Sequence, residues 1–288
     1  MLKSVKKIWR AILSLLLLSL LVGLGFEIYS LVLAYHTREL RLPPTMGNFQ
    51  TVIERLDQPE ADKPFLFAVA GDTNGIGTFE FLCEQLRKEP LSFMVLLGDQ
   101  VRTGREGYQR YLISETPEWN LPFPVFFIMG NHDINPEDFP RSRFEQVYGP
   151  TNFCFQYRRC LFIGLRIEEA PADNAESLRF LEENLAAPRD PNGLTFVFMH
   201  ILLPLEGAYS NRAFAEAERL RAILDRSQVD YVFAGDYHGY DRTRVGKTNY
   251  LVSGGGGLAP GERQIWQVSS RPGPAGQPQP GHRKNPPG

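Results

Sequence analysis

Two stretches, FMVLLGDQVRTG (93–104) and VFFIMGNHD (125–133), decide how this 288-residue chain is read. Each opens with a short apolar run and breaks at Gly into polar residues, the pattern of a strand running into a turn. Working outward, FLFAVAGDTNG (65–75) repeats the pattern upstream. Helix-period segments lie near 78–89 and 106–115, so residues 65–130 have a βαβαβ rhythm and the fold class is α/β. Downstream, FCFQYRRCLFIGL (153–165) reads as a hairpin around a Tyr-Arg-Arg turn. A helix near 175–187, the run LTFVFMH (194–200), a long helix near 211–226 and DYVFAGDYHGY (230–240) follow, with short strands around 240–252 and 263–268. Phe214, Ala217, Leu220 and Leu224 give the long helix one apolar stripe for the core.

The ends of the chain differ from this body. Residues 11–35, AILSLLLLSLLVGLGFEIYSLVLAY, hold one charge, Glu27, and a membrane-spanning helix needs about 20 apolar residues. Lys3, Lys6, Lys7 and Arg10 precede the stretch, so the positive-inside bias puts residues 1–10 in the cytoplasm and the body outside. The expected arrangement is a signal anchor, with secretion after cleavage near Val32 and Ala34 as the rival; the apolar stretch exceeds the usual signal-peptide core. Glu27 is then either at the outer interface or paired with a neighbouring helix. Residues 36–63 are polar with Pro43 and Pro44 and are expected to form a juxtamembrane linker with one short helix at 47–56. The globular domain is expected over 64–269, followed by a disordered Pro/Gly-rich tail at 270–288, too poor in apolar residues to offset its ordering entropy.

With 43% hydrophobic and 22% charged residues, the composition excludes a disordered or fibrous protein. Residues 43–264 hold 22 basic and 31 acidic residues, a net −9, which argues against a general nucleic-acid binder. Three cysteines are too few for a disulfide framework, and no CxxC zinc spacing occurs. Cys154 and Cys160 flank the hairpin turn and either pair or stay free, depending on a register that sequence does not set; Cys83 reads as core.

Polar residues recur where the apolar runs end. Asp72 and Asn74 follow the first, Asp99 the second, Asn131, His132 and Asp133 the third, His200 the fourth, and Asp236 and His238 the fifth. In an open α/β sheet, ligands collect at the carboxyl ends of strands. Of five histidines, only His36 and His282 lie elsewhere. Asp, Asn and His are donors for hard or borderline divalent cations, and several strand ends together can hold two ions around one shared carboxylate.

The order GD-x-N, GD, GNHD, a lone His after an apolar strand, and a final GDYH resembles the calcineurin-like metallophosphoesterases over residues 65–255. That resemblance implies a four-layer α-β-β-α sandwich of two packed mixed sheets. It also implies a metal-dependent phosphoric ester hydrolase acting by in-line attack of a metal-held hydroxide on phosphorus. Asp72 and His238 would then serve a first metal, Asn131 and His200 a second, and Asp99 would bridge them. His132 would be the acid for the leaving group, oriented by Asp133. The family usually has His where Asn74 and Asp236 stand, so these positions would contribute oxygen ligands instead, or mark a decayed site on a membrane-tethered binding or scaffold module. Three carboxylates against two divalent ions leave +1, and a mostly oxygen donor set favours Mn²⁺, with Fe or Mg²⁺ acceptable and Zn²⁺ disfavoured. Arg102 and Arg105 are either a clamp for substrate phosphate or solvated charges, and Gly254 to Gly257 either approach a phosphate or form a turn. The expected partners are a phosphoester substrate and the lipid bilayer.

Overall fold

In the computed structural model of the chain, residues 2–36, 40–49, 51–56, 63–74, 78–205, 214–255 and 265–268 are described. Two units result, Met1–Leu40 and Arg41–Gly288. The first is helix α1 (Leu2–His36), whose segment Lys6–Val32 contains an 18-residue stretch with a mean hydropathy of 2.3. Its 27 residues are long and apolar enough for a membrane span or a signal sequence.

The second unit alternates strands and helices. Its elements are β1 (Phe65–Ala70), α2 (Thr78–Leu86), β2 (Leu91–Leu96), α3 (Glu106–Trp119), β3 (Val125–Phe127), α4 (Arg141–Tyr148), β4 (Phe153–Tyr157) and β5 (Cys160–Gly164). Then come α5 (Ala175–Ala186), β6 (Thr195–Phe198), α6 (Ala217–Arg226), β7 (Tyr231–Ala234), β8 (Tyr240–Val245), β9 (Thr248–Ser253) and β10 (Ile265–Val268). One sheet has the order β10-β1-β2-β3 and the other β4-β5-β6-β7-β9-β8. Both are mixed: β1, β2 and β3 are parallel with β10 antiparallel, and β5, β6, β7 and β9 are parallel with β4 and β8 antiparallel at the edges.

The period of two along each strand sorts the side chains into layers. Phe67, Phe93, Phe126, Phe155, Phe162, Phe196, Phe198 and Phe233 face inward and form one core between the sheets, with ring pairs such as Phe67–Phe93 at 5.1 Å and Phe93–Phe162 at 5.0 Å. Each fully buried ring of this kind removes enough apolar surface to contribute roughly 2–3 kcal/mol. The alternate residues Ile163, Val197, Met199, Val232 and Val252 face outward and are covered by Leu178, Leu181 and Leu185 of α5 and Leu220, Ile223 and Leu224 of α6. A one-residue slip in any of these strands would exchange the two layers, which is why the register is well specified.

The structure corrects some of these expectations and decides others. Residues 41–56 are part of the domain rather than a linker: Met46 bridges to Val125, Val125 N–H donates to the Thr45 carbonyl, and Val52 and Leu56 lie in the core between the sheets. In place of a helix over 47–56 there is one 3-10 turn, Ile53–Arg55. Helix α4 had no counterpart in the sequence reading; the signals were Phe144 and Tyr148, both buried one turn apart, between Pro140 and Gly149. Cys154 and Cys160 do not pair. Cys160 lies opposite Tyr157 and points into the inner core, whereas Cys154 lies opposite Ile163 and packs on the outer layer, so their side chains leave opposite faces of the sheet. Helix α3 also runs past the expected end at 115, through Pro117 to Trp119. The start of the helix expected at 211, Gly256 and Gly257, and the tail 270–288 lie outside the described residues.

Candidate metal centre

Because β1, β2 and β3 are parallel in one sheet and β6 and β7 in the other, five strands end on one rim. The loops after them turn sharply: Asp72, Asn74, Asp99 and Asp236 all adopt the left-handed conformation, at φ 56, 53, 53 and 62. Residues other than Gly rarely hold that conformation, and its concentration at four polar strand-end residues marks backbone strain gathered at one place. Space is equally constrained. A Cβ on Gly98 would overlap the His200 ring, and one on Gly130 would overlap the Asp99 carboxylate, so the Gly of each GD and GN pair is needed for the next layer to close.

Donor atoms of Asp72, Asp99 and His200, all buried, lie within 4.8 Å of one another. His200 is held from across the sheets: its Nδ1–H donates to the Leu97 carbonyl at 2.7 Å, leaving Nε2 to face the cluster. Nε2 is 2.9 Å from Asn131 Oδ1, 3.3 Å from Asp99 Oδ1 and 3.8 Å from Asp236 Oδ1. His238 Nε2, on a half-exposed ring, is 3.4 Å from Asp72 Oδ1. Asp72 supplies the decisive observation. Both its carboxylate oxygens are buried and accept no hydrogen bond of ordinary geometry among the described residues, although the Asp236 N–H and, at 3.4 Å, His238 Nε2 approach them. A buried charge of that kind costs several kcal/mol unless something compensates it, and a divalent cation does so. The residues present therefore fit a metal ion.

Electrostatics agree with this. In the metal-free chain, burial pushes the Asp72 carboxyl up to about 8, helped by Asp99 and Asp236 and opposed by His200. Burial would lower His200, but the charge and hydrogen bond of Asp99 and the charge of Asp72 raise it to about 10. Burial likewise works against ionisation of Asp99, yet His200 and the His132 N–H hold it below its usual value. Metal ligands must give up their protons. Adding Mn²⁺ at pH 7 is therefore expected to release close to two protons, one from His200 and most of one from Asp72, with affinity climbing as pH rises toward 8. Calorimetry in buffers of different ionisation enthalpy measures this, and a heat independent of the buffer would contradict it.

The remaining expected residues are placed as follows. Asn74 donates its side-chain amide to the Asp72 carbonyl at 2.9 Å and its backbone N–H to the Asp99 carbonyl at 3.0 Å, closing a local turn. The exposed His132 ring donates Nδ1–H to the Arg102 carbonyl at 2.9 Å, and its backbone N–H donates to Asp99 Oδ1 at 2.9 Å. Arg102 and Arg105 are exposed, and neither guanidinium makes an ion pair among the described residues.

Asp133 was expected to orient His132. Instead its side chain is wholly buried, and its oxygens accept the N–H groups of Asp99, Gln100 and Gly130 at 2.9, 2.7 and 2.8 Å and of Val101 at 3.3 Å. It ties the loop after β2 to the turn after β3, and the Arg102 carbonyl holds the His132 ring. Gln109 and the Leu97 carbonyl were missed altogether, since neither stands in a motif.

The sequence of residues 45–240 matches the family described as calcineurin-like phosphoesterase. No curated protein is significantly similar in sequence. Among solved structures, a dimetal phosphatase from Danio rerio is similar with a TM-score of 0.56 at 13% identity, covering 71% of this chain and 92% of that one. The purple acid phosphatase PPD1 of yellow lupin (Lupinus luteus) has a TM-score of 0.58 at 15% identity over 77% of this chain and 54% of its own. GAP50, described as the anchor in the inner membrane complex of Plasmodium, has a TM-score of 0.54 at 14% identity over 75% of this chain and 86% of that one. At such identities the likeness is one of fold, while the family match spans most of the chain and takes in every residue of the cluster. Sequence and fold agree, and the chain belongs to the calcineurin-like phosphoesterase family.

Proposed function

We propose that this protein is a metal-dependent phosphoester hydrolase held at a membrane by α1, with its N-terminus cytoplasmic and its domain on the other side. The buried Asp72 carboxylate, without a hydrogen bond of ordinary geometry among the described residues, carries the reading together with Asp99 and His200 beside it. In it, Asp72 and His238 would hold one divalent cation and Asn131, His200 and Asp236 a second, Asp99 would serve both, and Asn74 would be an added oxygen donor. When bound, such ions polarise phosphoryl oxygens and make water a nucleophile at neutral pH. The oxygen-rich donor set favours Mn²⁺.

The chain's own residues do the rest. With Nδ1 donating to the Arg102 carbonyl, His132 presents Nε2 outward as the atom that protonates the leaving oxygen. Arg102 and Arg105, exposed and without an ion pair among the described residues, add positive charge for the phosphoester. The basic residues Lys3, Lys6, Lys7 and Arg10 ahead of the apolar segment set the orientation.

A second reading, a membrane-held binding module on the same fold, is favoured by one observation: Asn74 already uses its amide on the Asp72 carbonyl. GAP50, a protein of this fold, is described as an anchor. One experiment separates the two. The full-length chain in detergent, stripped and reloaded with Mn²⁺, Fe²⁺ or Zn²⁺, is assayed for metal content and for hydrolysis of a phosphomonoester and a phosphodiester. Asp99→Asn is expected to lose metal and turnover together, and His132→Ala to keep metal while kcat falls about 100-fold or more. Bound metal with no turnover on either ester would favour the binding module, and higher turnover with Zn²⁺ would refute the preference for Mn²⁺.

A further inference from the structure

Behind the turn that carries Asn131 and His132 lies a buried polar chain that the proposed chemistry does not use. The turn is closed by the Asp133 N–H donating to the Gly130 carbonyl at 3.3 Å and by the Gly130 N–H donating to Asp133 Oδ2. The outward-going group of that turn, the Asp133 carbonyl, accepts Nε2–H of Gln109 at 2.8 Å. Gln109 belongs to α3, is fully buried, and accepts in turn the hydroxyl of Tyr148, the last residue of α4, through Oε1. Tyr148 is buried on Phe127 and Phe144, at ring separations of 5.0 and 4.6 Å, so its position is set by β3 and α4.

Stability alone does not call for such a chain. A buried Gln and Tyr between two helices exchange hydrogen bonds with water for hydrogen bonds with each other at little net gain, and apolar residues of similar size would fill the same volume. What polar residues add here is a directional hold on one peptide group. That group ends the turn whose middle residue is His132, itself pinned by Asp99 on its N–H and Arg102 on its ring.

We propose that Gln109 and Tyr148 are positioning residues for the leaving-group side of the site: they fix the Asp133 carbonyl and thereby the orientation of the turn presenting His132. The proposal rests on the hydrolase reading above, since it concerns the same site. A misplacement of the order of 1 Å at a reacting group is enough to cost up to about 100-fold in rate.

The test compares the full-length chain with Gln109→Leu, Tyr148→Phe and the double variant, loaded with Mn²⁺ and assayed on an alkyl phosphate, whose poor leaving group depends on the acid. Metal content is followed beside the kinetics, and the ¹H–¹³C resonances of the His132 ring are recorded on the diamagnetic, metal-free proteins. Gln109→Leu is expected to lower kcat about tenfold and Tyr148→Phe about threefold, with KM and metal content unchanged. The double variant should be no worse than Gln109→Leu, because both act through one bond, and the His132 resonances should shift in each. Unchanged kcat in both folded variants would overturn the proposal, as would kcat falling in step with metal content, the mark of a merely structural role. If the wild-type chain turns over no ester, the hydrolase reading fails by itself. The His132 spectra then decide: identical spectra in wild type and variants overturn the positioning role, and shifted ones sustain it.

Discussion

Asp133→Asn is expected to lower the melting temperature of the domain by about 8–16 °C, the counterpart of about 4 kcal/mol in a body of this size. The amide is isosteric, but one of its two ends is a donor. Four backbone N–H groups converge on the carboxylate, two on each oxygen, so the NH₂ group would face two donors and leave both unsatisfied in a fully buried place. Breaking a buried charged interaction by removing one partner costs about 3–5 kcal/mol, because the groups left behind are no longer solvated. Burial and the Asp99 charge push the Asp133 carboxyl up to about 7 in the metal-free chain, against the pull of its backbone donors, so thermal unfolding of the metal-free proteins is followed by circular dichroism at pH 8.5, where the carboxylate is ionised. A variant that melts with the wild type but has lost activity would restore the catalytic role that the GNHD motif first implied for this residue. The metal-free state is specified because loss of bound metal would otherwise add its own destabilisation.

The opposite sign is expected for Asp72→Asn. With its pKa raised from 3.8 to about 8, the metal-free folded state binds the Asp72 proton more tightly than the unfolded chain does. The penalty for carrying this carboxylate is therefore absent below pH 4, grows through the interval between 4 and 8, and is complete above 8. At about 1.4 kcal/mol per unit, and allowing for relaxation and water entry, removing the charge should stabilise the stripped protein by about 3 kcal/mol at pH 8. That corresponds to a rise of about 6–12 °C in melting temperature. Asn also tolerates the left-handed backbone at this position better than most residues. The same substitution should abolish tight metal binding and turnover, since the buried carboxylate charge of Asp72 is what a cation would compensate. Melting curves at pH 4.5 and pH 8 measure the difference, which should nearly vanish at the lower pH. Destabilisation at pH 8, or metal bound as tightly as by the wild type, would contradict the assignment. A residue that weakens the fold in order to serve a site is a common trade between stability and function.

The apolar runs ending in GDTN, GDQ, GNHD, His200 and GDYH are local patterns, and they were sufficient to place strands β1, β2, β3, β6 and β7, with periodicity placing helices α2, α3, α5 and α6. Periodicity reports which face a residue shows, so the division between Phe67 or Phe93 inside and Met94 or Val197 outside was implicit in the alternation. Short or irregular segments were not legible in this way. Helix α4 has eight residues of which only Phe144 and Tyr148 are buried, too few for a periodic signal, and residues 41–56 read as a linker because their packing relies on single residues. Asn48 alone donates to the Phe127 carbonyl and accepts the Phe127 N–H, each at 2.9 Å, standing in for a strand neighbour.

By itself, the sequence determined the α/β alternation, the apolar N-terminal segment, the family and the set of polar residues delivered to one rim, because each depends on residues adjacent in the chain or on spacing along it. Only the tertiary structure decided which of those residues touch. That His200 turns Nε2 to the cluster follows from a carbonyl 103 residues away, and that Asp133 is a tie between two loops rather than a partner of His132 follows from donors 32 to 34 residues upstream. The free cysteines depend on a strand register, and the position of Gln109 on how α3 packs behind the turn. A side chain's residue type fixes what it can donate or accept, whereas its partner is set by the packing of elements distant in sequence, and no local pattern encodes that.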